Sequence, residues 1–104
     1  MFKLIKKYEC GIIRFKIPFH VDNRGYFSKL YNYVELKKIG VDFLPKEHFH
    51  SISNKNVLRG LHFQVNNSAH KKIIHCINGS IIDVCVDVRL ESKFYNKPLS
   101  FDLN

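Results

Sequence analysis

KKIIHCINGSIIDVCVDV, residues Lys71 to Val88, is the stretch whose reading decides the fold class. Two β-rich runs flank Asn78 and Gly79, a pair suited to the positive backbone angles of a type I′ turn, so the stretch predicts a hairpin. A two-residue loop pairs Ile77 with Ser80, Ile74 with Asp83 and Lys72 with Cys85. One face then carries Lys72, Ile74 and Cys76 with Ile81, Asp83, Cys85 and Asp87. The opposite face, with Ile73, His75, Ile77, Ile82, Val84, Val86 and Val88, is nearly all apolar and calls for cover by a second sheet or another subunit. On the polar face Lys72 and Asp83 stand one diagonal step apart, which reads either as a structural salt bridge or as part of a reactive pocket.

Upstream, NVLRGLHFQ, Asn56 to Gln64, sets Arg59, Gly60 and His62 inside a strand-like apolar run. Strand alternation puts Leu58, Gly60, His62 and Gln64 on one face and Arg59, Leu61 and Phe63 on the other. For Arg59 and His62 to serve one site, Gly60 has to permit an irregularity. The bland reading is a rim arginine and a satisfied core histidine. Lys46 to Ser53 also has the period of a strand, and Asn54 to Asn56 reads as the turn that follows it. His48 and His50 share one strand face there, an HxH spacing that with His62 or His70 suggests a metal-binding alternative.

Earlier still, Phe2 and Leu4, then Ile12, Ile13, Phe15 and Ile17, read as two extended segments broken at Cys10 and Gly11. HVDNRG, His20 to Gly25, is turn-forming and lifts Arg24 onto a loop, where its fork can grip a phosphate or simply be solvated. Asn32 with Glu35 three residues on resembles a capping box, and Gly40 supplies a stop, which predicts one helix over Tyr33 to Ile39. Leu99 to Leu103 resumes a strand. Many short strands, one helix and no βαβ rhythm define a mainly β, antiparallel sandwich, jelly roll or barrel in a single domain, residues 1–104.

Composition narrows the function. The 104 residues are 45% hydrophobic with nine Phe and five Tyr, which indicates a folded domain. Lys and Arg outnumber Asp and Glu by 17 to 9, so the surface attracts phosphates of any kind. The lysines are spread out, and neither a nucleic-acid motif nor an apolar run of membrane-spanning length is present, so neither nucleic acid nor membrane is expected as a partner. Cys10, Cys76 and Cys85 lack the spacing of a disulfide framework and point to a reducing, cytoplasmic compartment.

Taken together, DNRGYF, NVLRGLHFQ and a lysine-led hairpin ending DVCVDVRLES resemble the dTDP-4-dehydrorhamnose 3,5-epimerases, dimeric cupin-type jelly rolls of sugar-nucleotide metabolism. The resemblance implies an antiparallel cupin-like jelly roll with one short helix, incomplete because only the N-terminal part of the family's domain is matched. It implies a homodimer without cofactor or metal, acting on a dTDP-linked 4-keto-6-deoxy sugar in the rhamnose-type biosynthesis of cell-surface polysaccharides such as lipopolysaccharide O-antigen. His62 takes the place of the family's base and Lys72 that of the residue that stabilises the oxyanion. Arg24 and Arg59 match arginines that contact the nucleotide. Lys29, Glu47 and Phe49 stand where the family has a glutamate, a glutamine and an asparagine, so those substrate contacts are expected to be altered. The family's tyrosine acid and the aspartate that orients the histidine are expected beyond Asn104, with Asp83 the candidate to stand in for the latter. The alternative is a dimeric module that binds a sugar nucleotide, or a metal, without catalysis.

Overall fold

The computed structural model describes residues 1–104. Its elements run β1 (Lys3–Lys7), β2 (Ile13–Lys16), β3 (Phe19–Asp22), β4 (Gly25–Ser28), α1 (Tyr33–Lys38), β5 (Ile81–Val86) and β6 (Pro98–Leu103). They form antiparallel two-stranded sheets, β1 with β2, β3 with β4 and β5 with β6. The chain is mainly β with one short helix, as expected, and is consistent with a small cupin-like β fold.

The core gathers where the first sheet meets the helix. Phe2, Leu36 and Val41 are buried, with Ile13, Phe15, Ile17, Ile39, Phe43 and Ile73 packed around them. Sequence chemistry explains why the helix forms there. The Asn32 side chain accepts the Glu35 backbone amide at 2.9 Å, which satisfies a free N-terminal donor. At the other end Gly40 adopts φ +90°, its amide bonds the Lys37 carbonyl and the Val41 amide bonds the Leu36 carbonyl, each at 3.0 Å. This is a Schellman cap, and its usual apolar contact is made by Leu36 and Val41, which are both core residues. Only half of the expected capping box exists, because the Glu35 carboxylate turns to Lys29 instead.

A satellite cluster ties the last sheet to the first. Phe101 is buried with its ring edge-on to Tyr8 at 5.4 Å between centroids. Arg89 donates to the Cys10 carbonyl at 2.9 Å and pairs with Asp87 at 2.7 Å.

Three expectations are corrected. The hairpin Lys71 to Val88 does not form: β5 pairs with β6 from Ile81↔Leu103 to Val86↔Pro98, and no ladder joins it to Lys71–Ile77. The physical reason lies in the turn, where Gly79 takes φ +83° but Asn78 stays out of the left-handed region that a type I′ turn needs at both central positions. NVLRGLHFQ is not a strand either, since Asn56 at φ +66° and Gly60 at φ +104° interrupt any extended run. Lys46 to Ser53 likewise finds no sheet edge, and a strand without a paired edge and a covered face is not stable. From Leu44 to Lys72 every residue is exposed. The chain is correspondingly extended, with a radius of gyration of 15.3 Å against about 13 Å for a compact domain of this length.

Candidate functional site

The expected site residues fall on two kinds of support. Arg24 sits at the tip of the β3–β4 hairpin, where Asp22 pairs directly with Gly25. Its guanidinium is 86% exposed and engaged by Asp22, with Nη2 to Oδ2 at 2.7 Å. That hydrogen bond holds the Asp22 carboxyl below its ordinary range and raises the arginine. Lys29 follows β4 and donates to Glu35 of α1 at 2.6 Å. The Lys29 ammonium is the main reason that the Glu35 carboxyl is lowered, against the opposing effect of burial. At the position where the resemblance expected an altered substrate contact, the lysine is thus held by the helix. Asp83 is half-buried on β5, directly opposite Phe101.

Glu47, Phe49, Arg59, His62 and Lys72 lie in the open segment. Arg59 folds back locally, its Nε 2.8 Å from Ser53 Oγ and its Nη2 3.3 Å from the Ile52 carbonyl. The His62 ring lies over Gly60: a Cβ built on that glycine would come within 3.5 Å of Nδ1. Any side chain at position 60 would therefore be strained by φ +104°, although its Cβ would meet the imidazole only at ordinary van der Waals distance. His62, Lys72 and Asp83 make no side-chain hydrogen bond or ion pair with one another; in this conformation the imidazole, the ammonium and the carboxylate are present but unassembled.

Two further observations concern residues outside the expected set. His75 is half-buried with Nε2 unpartnered, and its pKa is lowered by burial and then by the charge of His48. No three His, Cys, Asp or Glu side chains converge as metal ligands, so the HxH alternative gains no support from the geometry. A cavity of about 410 Å³ is lined by Glu9, Cys10, Gly11, Arg89 and the Glu91 to Phe94 loop, and contains none of the expected residues. There Asp87 accepts from Arg89 Nη2 and from Ser92 Oγ, both at 2.7 Å. These bonds hold the Asp87 carboxyl far below the usual carboxylate range. DVRLES carries these residues, but its separation from the other motifs along the chain gave no hint that it would organise a knot of its own.

Fold and motif together define a small antiparallel β protein carrying an Arg-Gly-Leu-His segment. The sequence profile of the dTDP-4-dehydrorhamnose 3,5-epimerase family matches residues 10–104, and the chain belongs to that family. It is 41% identical over 86 residues to the dTDP-4-dehydrorhamnose 3,5-epimerase of Salmonella typhimurium, covering 80% of this chain and 46% of the relative. With the enzyme of that name from Escherichia coli it shares 40% identity over 79 residues, or 73% of this chain and 42% of the relative. The Methanothermobacter thermautotrophicus enzyme of that name is 34% identical over 96 residues, or 92% and 51%. The chain thus spans about half the length of these curated relatives. No solved structure matches it significantly.

Proposed function

We propose that this chain carries the base-bearing part of a carbohydrate epimerase for a dTDP-linked 4-keto-6-deoxy sugar, inverting C3 and C5. The observation that carries the reading is the family match across residues 10–104, within which the Arg-Gly-Leu-His segment is intact. The C4 ketone acidifies the neighbouring C–H bonds, and an imidazole with its pKa near neutrality can remove such a proton, which is the role of His62. The electron pair moves onto the ketone oxygen as an enolate, where the Lys72 ammonium offsets the developing charge. A proton drawn from solvent on the opposite face completes the inversion, and the one taken by His62 is lost to solvent. Arg24 and Arg59 suit the diphosphate by their planar forks, once Asp22 and Ser53 release them.

For this to operate, the open segment must close around the substrate. The apolar side of β5, with Ile82, Val84 and Val86, is the surface through which we expect a homodimer to form, while Ile73, expected on the same face, packs on the core instead. Asp83 is the candidate to orient His62. Held by Glu35, Lys29 leaves that substrate contact to others, and Glu47 and Phe49 alter two more. A cytoplasmic setting agrees with the three free cysteines.

Incubation with the 4-keto-6-deoxy sugar nucleotide in heavy water tests the reading. Deuterium is expected to enter C3 and C5 only slowly with this chain alone, and His62→Asn should abolish its entry while the circular dichroism spectrum is kept. An undiminished rate in that variant overturns the assignment. The unassembled state of His62, Lys72 and Asp83 favours one second reading, a module that binds the sugar nucleotide without turnover. Saturable binding with no exchange in the wild-type chain would select it.

A further inference from the structure

No run of lysines in the sequence is longer than a pair, yet the β1–β2 register collects cations on one face. Lys3 lies directly opposite Lys16, and Lys6 directly opposite Arg14. Directly opposed residues of an antiparallel ladder share a face, as do residues two apart on one strand, so all of these stand together. Leu4 and Phe15, paired between them, point the other way, where Phe15 packs on the core. The three lysines therefore face outward, with Arg14 half-buried beside them.

Like charges opposed across a ladder repel, and here no carboxylate pairs with them. None of the chain's ion pairs includes one of these residues. Arg14 reaches Asp102 only through its carbonyl oxygen, at 3.5 Å, and Lys6 lies 4.8 Å above the Tyr8 ring. Of the two strands, β1 precedes residue 10, where the family match begins, and β2 lies within it.

We propose that the outward face of β1–β2 is a docking surface for an anionic lipid membrane. Apolar company favours lipid over the other common polyanion, nucleic acid. The register shifts between Leu4 and Lys6, and at that irregularity Ile5 is 54% exposed, with Met1 82% exposed just before the strand. Apolar side chains among cations can enter the headgroup boundary while the ammonium groups meet lipid phosphates. A single-strand platform would instead present aromatic faces for bases. Tyr8, the ring beside Lys6, is already held between that ammonium and Phe101. Association is peripheral, as no helix is long and apolar enough to cross a membrane.

The test is co-sedimentation of the full chain with phosphatidylcholine vesicles, with and without phosphatidylglycerol. Binding is expected only to the anionic vesicles, and it should vanish at about 1 M salt, where screening shortens to about 3 Å. Lys3→Gln and Lys16→Gln should each weaken partitioning roughly five-fold, the equivalent of about 1 kcal/mol per lysine at an anionic surface. Lys37→Gln on α1, matched for charge, should change it by less than about two-fold. Equal binding to neutral vesicles, unchanged binding by folded Lys3→Gln/Lys16→Gln, or tighter capture by oligo-dT than by anionic vesicles at the same salt would each overturn the proposal.

Discussion

The unit built from β1, β2 and α1 and the segment from Leu44 to Lys72 both carry large apolar side chains, and those side chains meet opposite fates. In the first, Phe2, Phe15 and Leu36 find one another, and Leu36 is fully buried. In the second, Ile52, Leu58 and Leu61 are 85%, 92% and 70% exposed. The open segment is the less apolar of the two, with 9 apolar residues among its 29, and it also lacks a partner surface. The helix and its caps are local devices that present Leu36 and Val41 to the sheet, whereas the open segment has strand periodicity and no edge to pair with. Stability is thus concentrated in one region, while the residues with expected chemistry lie mostly in the other.

Truncating the core should produce the largest contrast. Leu36→Ala is expected to cost about 2–5 kcal/mol, enough to unfold much of a marginal domain. Urea titration followed by circular dichroism measures it, and a cost as small as that of an exposed residue would show that the core is not where stability resides. Next comes the acid limb. Asp87 has its folded pKa depressed by Arg89 and Ser92, so its stabilisation is present above the ordinary carboxylate pKa and is lost as pH falls below it. Tm measured down through pH 4 should fall for the wild type, and Asp87→Asn should start lower at neutral pH and respond less to acid. Removing the helix cap sharpens the comparison further: Asn32→Ala is expected to cost about 1 kcal/mol, read as a shift in the urea midpoint. The smallest effect belongs to the open segment, where Leu58→Ser should change stability by less than about 0.5 kcal/mol. A large loss there would mean that Leu58 is covered in solution.

Legibility followed the range of the interactions. Asn32, Glu35 and Gly40 act within a few residues of one another, so the helix and its boundaries could be read directly. The breaks at Gly11 and at Asn23 and Arg24, and the final strand at Pro98–Leu103, were also visible because turn chemistry and alternation are local. What misled was the Asn78-Gly79 signal. A type I′ turn needs both central residues in the left-handed region, and Asn78 does not take it, while β6 pairs with β5 from a distance along the chain. The site was legible as an inventory rather than as an assembly. Arg24, Arg59, His62 and Lys72 were nameable from their motifs, yet Asp22 and Ser53 occupy the arginines, and nothing joins His62 to Lys72 or Asp83.

The sequence by itself determined family membership, the mainly β class, the capped helix and the identity of the residues to test, because each rests on residue type and short spacing. Tertiary structure alone decided which strand β5 pairs with, that Lys29 is held by Glu35, and that lysines scattered along the chain face outward together on β1–β2. Those outcomes depend on which surfaces meet, and a one-dimensional pattern records the candidates for a contact without selecting among them.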